Sequence, residues 1–130
     1  MLKAKDLMTK TVISINIDDP VYNALELMAN NDITGLPVVD NHGNLVGILS
    51  EKDVLRLFYA DQGGQEKPVA DFMTQPAVHF DENESLDEVC KCLQDNYFRR
   101  VPVTAKGKLV GIISRKDLLG YIFKSRYPKG

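Results

Sequence analysis

The chain contains the same series of segments twice, and this constrains its fold more than any other feature. Asp6-Leu7-Met8-Thr9 recurs 65 residues on as Asp71-Phe72-Met73-Thr74, and Leu36-Pro37-Val38 recurs at the same spacing as Val101-Pro102-Val103. Leu45-Val46-Gly47-Ile48-Leu49-Ser50-Glu51-Lys52-Asp53 recurs 64 residues on as Leu109-Val110-Gly111-Ile112-Ile113-Ser114-Arg115-Lys116-Asp117. One residue is missing from the second turn, where Ala105 to Gly107 stands for Asp40 to Gly43. A constant spacing broken by one deletion in a turn is what duplication of a folding unit leaves behind.

Each copy reads β-α-β-β-α. A short strand is expected over Val12 to Ile15 and over Ala77 to Phe80. In copy one Asp19 suits a helix N-cap, with Pro20 at the first helical position. Val21, Ala24, Leu25, Met28 and Ala29 then mark one buried stripe. In copy two Ser85 with Glu88 forms a capping-box pattern, and Leu86, Val89, Cys90 and Leu93 continue the stripe. Strands over Leu36 to Val39 and Leu45 to Leu49 flank Asp40-Asn41-His42-Gly43-Asn44, whose Asx and Gly residues suit a hairpin. Copy two repeats this with Val101 to Thr104 and Leu109 to Ile113. A second helix follows, Glu51 to Tyr59 or Arg115 to Phe123. The polar, Gly- and Pro-bearing stretch Ala60 to Pro68 stops the helix and offers no core positions. The expected division is repeat one over 1–60, a linker over 61–68, repeat two over 69–123 and a tail over 124–130. Each repeat of about 60 residues would be marginal alone, so an α+β module of two repeats packed about a pseudo-twofold axis is expected.

Composition narrows the function. Hydrophobic residues make up 44% and charged residues 26% of 130, which argues against disorder and coiled coil. Sixteen Lys and Arg against eighteen Asp and Glu leave a net charge of −2, a poor balance for a polyanion binder. Two or three local cations can still hold a small anion. The basic tail from Lys124 carries too few charges to form a nucleic-acid arm. No apolar run approaches the roughly 18 residues of a membrane span, and Met1 to Asp6 lacks a signal-peptide core, so a cytoplasmic protein is expected. Cys90 and Cys92 would diverge by about 200° on a helix, which favours a reduced, partly buried pair. With only His42 and His79 beside them, no metal-ligand spacing emerges. There is no nucleophile elbow, phosphate loop or dinucleotide fingerprint, so no catalytic residue and no enzyme activity are expected. The acids Asp81, Glu82, Glu84, Asp87 and Glu88 suit a solvated helix start.

Two repeated features can carry chemistry. Ser50 with Asp53, and Ser114 with Asp117, have the spacing of a capping box at a strand–helix junction. The same hydroxyl and carboxylate can instead hold the vicinal hydroxyls of a sugar, because a carboxylate accepts two hydrogen bonds at once. Arg99 and Arg100 precede the strand that begins at Val101. They either pair with surface acids or fork onto a phosphate or carboxylate. Copy one carries Thr34 and Gly35 at these places, so the copies need not bind the same thing.

The Asp-x-Met-Thr starts at Asp6 and Asp71, the Pro-Val strands at Pro37 and Pro102, and the Gly-Ile-x-Ser-x-x-Asp ends at Gly47 and Gly111 together resemble a tandem CBS domain pair, or Bateman module, from Lys5 to Tyr121. The resemblance implies clefts between the repeats that take adenosyl ligands, such as AMP, ADP, ATP, S-adenosylmethionine or NAD, as regulatory ligands with no required cofactor. It implies that Asp53 and Asp117 hold ribose diols, with Ser50 and Ser114 beside them. Adenine would be framed around Thr11, Ile13, Ile33, Thr34, Gly35 and Leu36 in copy one. In copy two the frame would be Gln75, Val78, Phe98 and Val101, with Arg99 and Arg100 on phosphate. It further implies a homodimer that signals to a separate regulated protein by conformational or dimer change; the charge balance and the lack of a long apolar run argue against nucleic acid or a membrane as partner. The competing reading is a ligand-free dimerisation or scaffolding module in which the serines are only helix caps.

Overall fold

The computed structural model describes residues 1–59 and 63–126; positions 61 and 62 of the expected linker and 127–130 of the expected tail lie outside them. The element order is α1 (Ala4–Leu7), β1 (Ile15–Asn16), α2 (Val21–Asn31), β2 (Gly35–Val39), β3 (Leu45–Ser50), α3 (Glu51–Val54), β4 (Phe80–Asp81), α4 (Leu86–Asp95), β5 (Arg100–Ala105), β6 (Lys108–Ser114) and α5 (Arg115–Arg126). This is an α+β fold with two three-stranded sheets, β1-β2-β3 and β4-β5-β6. By contacts the chain divides into two compact units. One is continuous, Ile13–Ala77, and the other joins Met1–Val12 to the chain from Val78 onward.

The 13–77 unit packs α2 on its sheet around Ile15, Val21, Ala24, Met28, Leu36, Val38, Leu49, Val54 and Val69. The apolar stripe of α2 is narrower than expected, because Ala29 is exposed. Eight residues at 100° leave it about 80° round the helix from Val21, at the stripe's edge. The helix also starts later than expected. Pro20, not Asp19, is the N-cap, with an extended ψ of 139° and no side-chain acceptor. The Val21 N–H donates instead to the Lys67 carbonyl at 2.8 Å, and the Val69 N–H donates to the Asp19 carbonyl at 2.8 Å. The end of the linker therefore does the work of a cap. It also seats Val69, fully buried, in the core.

Strand β1 lies further along the chain than the expected Val12 to Ile15, and is only two residues long. It pairs in parallel with the far end of β2, Ile15 with Val38 and Asn16 with Val39. An Asx turn then ends it, the Asn16 side chain accepting from the Asp18 N–H at 2.9 Å. Strand β4 shifts in the same way to Phe80–Asp81, and Asp81 accepts from the Asn83 N–H at 2.9 Å. The first hairpin closes around Asp40, whose carboxylate accepts from the His42 and Asn44 N–H groups at 2.9 Å each and from Asn44 Nδ2 at 3.1 Å. These bonds, led by the Asn44 side chain, hold its carboxyl below the usual carboxylate range. The second hairpin turns through Lys106 and Gly107 alone, at φ 52° and 82°, the left-handed pair a tight two-residue turn needs.

The second unit buries Ala4, Leu86, Val89, Leu93, Val101, Val103, Ile113 and Leu118. Ser85 caps α4 by accepting from the Asp87 N–H at 3.1 Å, but Glu88 does not complete the expected capping box. The chain on either side of Ser85 is already paired with the N-terminal segment: Leu86 N–H donates to Leu2 at 2.9 Å and Ala4 N–H to Glu84 at 2.8 Å. These bonds fix the helix entry. Cys90 and Cys92 are half-buried free thiols, and burial pushes the Cys92 thiol up.

Each Met-Thr segment closes the sheet of the sequence copy to which it does not belong. Thr74 exchanges backbone bonds with Ile48 of β3, at 2.8 and 2.9 Å. Thr9 does the same with Ile112 of β6, at 2.9 and 3.0 Å. The glycine before each isoleucine makes room for this. A Cβ on Gly47 would stand 2.9 Å from Met73 Sδ and 2.9 Å from the Thr74 carbonyl, and a Cβ on Gly111 would strike Met8. The Gly-Ile and Met-Thr motifs are thus two halves of one contact.

Candidate functional site

Both Ser-x-x-Asp boxes form at strand ends. Ser50 closes β3 in an extended conformation, φ −102° and ψ 164°, and α3 starts at the next residue. Its N–H donates to Asp53 Oδ2 at 2.9 Å, its hydroxyl donates to the same oxygen at 3.0 Å, and Oγ accepts from the Asp53 N–H at 3.3 Å. Ser114 stands at the same junction between β6 and α5. Its N–H donates to Asp117 Oδ2 at 2.8 Å and its Oγ accepts from the Asp117 N–H at 3.1 Å. The capping geometry is therefore present in both copies. It uses one carboxylate oxygen of each aspartate, Oδ2, and leaves Oδ1 outside the cap's hydrogen bonds.

The two Oδ1 atoms differ. Thr74 donates its hydroxyl to Asp53 Oδ1 at 3.2 Å and lies 3.4 Å from Oδ2. Thr74 was not among the sequence candidates, although its place in the repeated Met-Thr motif was the signal for it. Among the described residues Asp117 Oδ1 accepts no hydrogen bond. Copy one also holds a cation the sequence reading passed over. Arg56 donates from Nε to the Asp53 carbonyl at 3.2 Å and from Nη2 to the Asp71 carbonyl at 3.1 Å, and lies 4.7 Å over the Phe72 ring. Its guanidinium ties the Asp-Phe-Met-Thr segment to α3.

Opposite each box stands the start of the neighbouring strand. Gly35 pairs with Ser50, and Arg100 pairs with Ser114. Directly opposed residues of an antiparallel pair share a face at about 5 Å between Cα atoms, so Arg100 stands beside the Ser114 box. Arg99 is exposed, Arg100 half-buried, and among the described residues neither guanidinium has a hydrogen-bond or ion-pair partner. Leu36 and Val101 are buried and offer only backbone, while Ile33 packs on the core. The Thr34 carbonyl accepts from Glu51 at 2.9 Å, and the Arg99 carbonyl from Arg115 at 2.9 Å. Phe98, Ile13 and Val78 are exposed apolar side chains. Thr11 and Gln75 are exposed, and among the described residues neither bonds to either box; Thr11 falls with the second unit and Gln75, next to Thr74, with the 13–77 unit.

A separate apolar groove of about 400 Å³ runs between α4 and α5, lined by Cys90, Leu93, Gln94, Arg115, Leu118, Leu119 and Ile122. It includes neither Asp117 nor the two adjacent arginines. Among the described residues no cluster of His, Cys, Asp and Glu suits a metal ion, and no helix is long and apolar enough to cross a membrane.

The architecture has known counterparts. YlbB of Bacillus subtilis is 36% identical over 119 residues, covering 91% of this chain and 80% of YlbB. An inosine-5'-monophosphate dehydrogenase of Methanocaldococcus jannaschii is 34% identical over 128 residues, but the chain spans only 24% of that enzyme's length. Among solved structures, CBSX2 in complex with AMP superposes with a TM-score of 0.85 at 29% identity, covering 97% of this chain and 99% of that one. The CBS domain pair of MJ0100, in complex with 5-methylthioadenosine and S-adenosylmethionine, superposes with a TM-score of 0.76 at 26% identity, covering 97% and 98%. The CBS domain family model matches residues 4–60 and again 69–124, ranges that follow the sequence copies rather than the contact units. The chain belongs to the CBS domain family, as a tandem pair.

Proposed function

We propose that this CBS pair is a cytoplasmic regulatory module that binds an adenosyl ligand at the Ser114–Asp117 box. One observation carries the reading: Asp117 Oδ1 and the Arg99 and Arg100 guanidinia lack partners among the described residues, and the backbone sets Arg100 opposite Ser114 and bonds Arg99 to Arg115 at one strand–helix junction. An outward carboxylate oxygen suits a ribose diol, and paired guanidinia suit a phosphate, which together describe a nucleoside phosphate. The AMP of CBSX2 and the adenosyl ligands of MJ0100 support the same class. At the Asp53 box a ligand competes with the Thr74 hydroxyl for the carboxylate, and Thr34 and Gly35 stand where copy two has its arginines, so that box binds more weakly or prefers an uncharged ligand.

Regulation then follows from linkage. A ligand that binds one arrangement of the module stabilises it, by about 2.7 kcal/mol at a hundredfold excess over Kd. It signals only if it binds two arrangements unequally. The equivalent exposed side chains Leu55 and Leu119, and Phe58 and Ile122, offer apolar surface for a homodimer through which such a change can reach a regulated protein. The competing reading, a ligand-free scaffold, draws on the fact that both boxes already work as caps. A thermal-shift panel of AMP, ADP, ATP, S-adenosylmethionine and NAD separates the two. The adenosyl reading predicts a rise in Tm with at least one, lost in D117A; indifference to all five overturns it in favour of the scaffold.

A further inference from the structure

Arg115 holds one loop at three points. Its N–H donates to the Arg99 carbonyl at 2.9 Å. Its side chain donates from Nε to the Leu93 carbonyl at 3.2 Å and from Nη2 to the Asn96 carbonyl at 2.6 Å. These carbonyls bracket the chain from the end of α4 to Arg99, which leads into β5. Helix α4 ends in Asn96 with an extended backbone, φ −123° and ψ 171°, so no left-handed residue closes it. The guanidinium takes up carbonyls that a helix end otherwise leaves to water. The other copy is built differently. Glu51, at the matching position, makes the same backbone bond to Thr34 at 2.9 Å, but α2 is closed by Asp32 in the left-handed region, φ 51° and ψ 49°, with Ile33 N–H donating to Met28 at 3.1 Å. The loop before β2 closes on itself; the loop before β5 is closed by a side chain of the Ser114–Asp117 box's own helix.

We propose that Arg115 is a positioning residue that fixes Arg99 and Arg100 beside Asp117, and so sets the preference of this box for phosphorylated over unphosphorylated adenosyl ligands. The proposal rests on the adenosyl reading above. It follows because a phosphate gains most from guanidinia that are already in place, and ordering a loop on binding subtracts from affinity. Arg115 commits Nε and Nη2 to the Leu93 and Asn96 carbonyls, which directs its side chain to the loop.

The test compares AMP and adenosine binding by calorimetry in the wild type, R115A and R100A, with amide hydrogen exchange at Tyr97 to Arg99. R115A is expected to lose about tenfold in AMP affinity, which is about 1.4 kcal/mol, to keep adenosine affinity within about twofold, and to exchange the loop amides faster. R100A is expected to lose AMP preference with exchange unchanged, which separates positioning from contact. R115Q, which keeps one amide donor, carries the same comparison if R115A does not fold, and R115K should recover part of the AMP preference. An unchanged AMP-to-adenosine ratio in R115A or R115Q overturns the proposal. Failure of the wild type to bind either compound overturns the adenosyl reading and the ligand half of this proposal together, whereas wild-type AMP binding with an unaltered ratio overturns this proposal alone.

Discussion

The Ser50–Asp53 and Ser114–Asp117 boxes have the same spacing and the same cap, yet their second carboxylate oxygens meet different surroundings. Thr74 and Thr9 pair identically with Ile48 and Ile112 through the backbone. Only the Thr74 hydroxyl reaches its carboxylate, at 3.2 Å. Copy one spends its nearby cation, Arg56, on backbone carbonyls, while copy two leaves Arg99 and Arg100 without partners among the described residues. A local motif fixes a cap, and long-range neighbours decide whether the motif has anything left to offer a ligand.

The largest expected effect tests the closure of each unit. G111A drives a Cβ into Met8, and G47A brings one to 2.9 Å from Met73 Sδ and the Thr74 carbonyl. Each should cost about 1–3 kcal/mol by chemical denaturation, as overpacking does, with G47A the costlier because the Thr74 carbonyl is backbone, whereas the Met8 side chain can move aside. Equal, negligible losses would mean that the Met-Thr segments do not seal the two sheets. Next, R99A and R100A should each weaken AMP binding by about tenfold or more, the scale of one charge-assisted hydrogen bond, whereas T34A and G35A should not. A smaller effect sharpens the other side. T74V removes the internal donor to Asp53; it should lower stability by about 0.5–1 kcal/mol while strengthening any ligand binding at Asp53. A T74V protein that binds no better would show that the hydroxyl is not what occupies that carboxylate.

The smallest effect concerns pH. The Asp40 carboxyl is held below its ordinary value by Asn44, so its contribution is complete above that value and is lost as pH falls through the depressed one. D40N should therefore flatten the acid limb of a stability–pH curve slightly, with no matching change in A105N, because the second hairpin turns on Lys106 and Gly107 alone.

The duplication, the hairpins and both boxes were legible because each rests on neighbours within a few residues. Ser50 and Asp53 need only their spacing to cap α3, and Gly43 and Gly107 need only their left-handed backbone. Long-range pairing was not legible. The two Met-Thr segments are alike, so nothing local says that Thr74 pairs with Ile48 or that Thr9 pairs with Ile112. Pro20 replaces Asp19 as the cap because Lys67, far along the chain, supplies the acceptor for Val21. Arg115 stands in the sequence only as the first residue of the second helix of copy two; the fold brings its side chain to the end of α4.

The central claim is that the Asp117 box, not the Asp53 box, takes the ligand with higher affinity. Calorimetric titration of AMP into the wild type, D53A and D117A tests it directly. D53A should retain the tight site with wild-type affinity, and D117A should lose it. Loss of the tight site in D53A with retention in D117A would contradict the claim, as would two sites of equal affinity in the wild type.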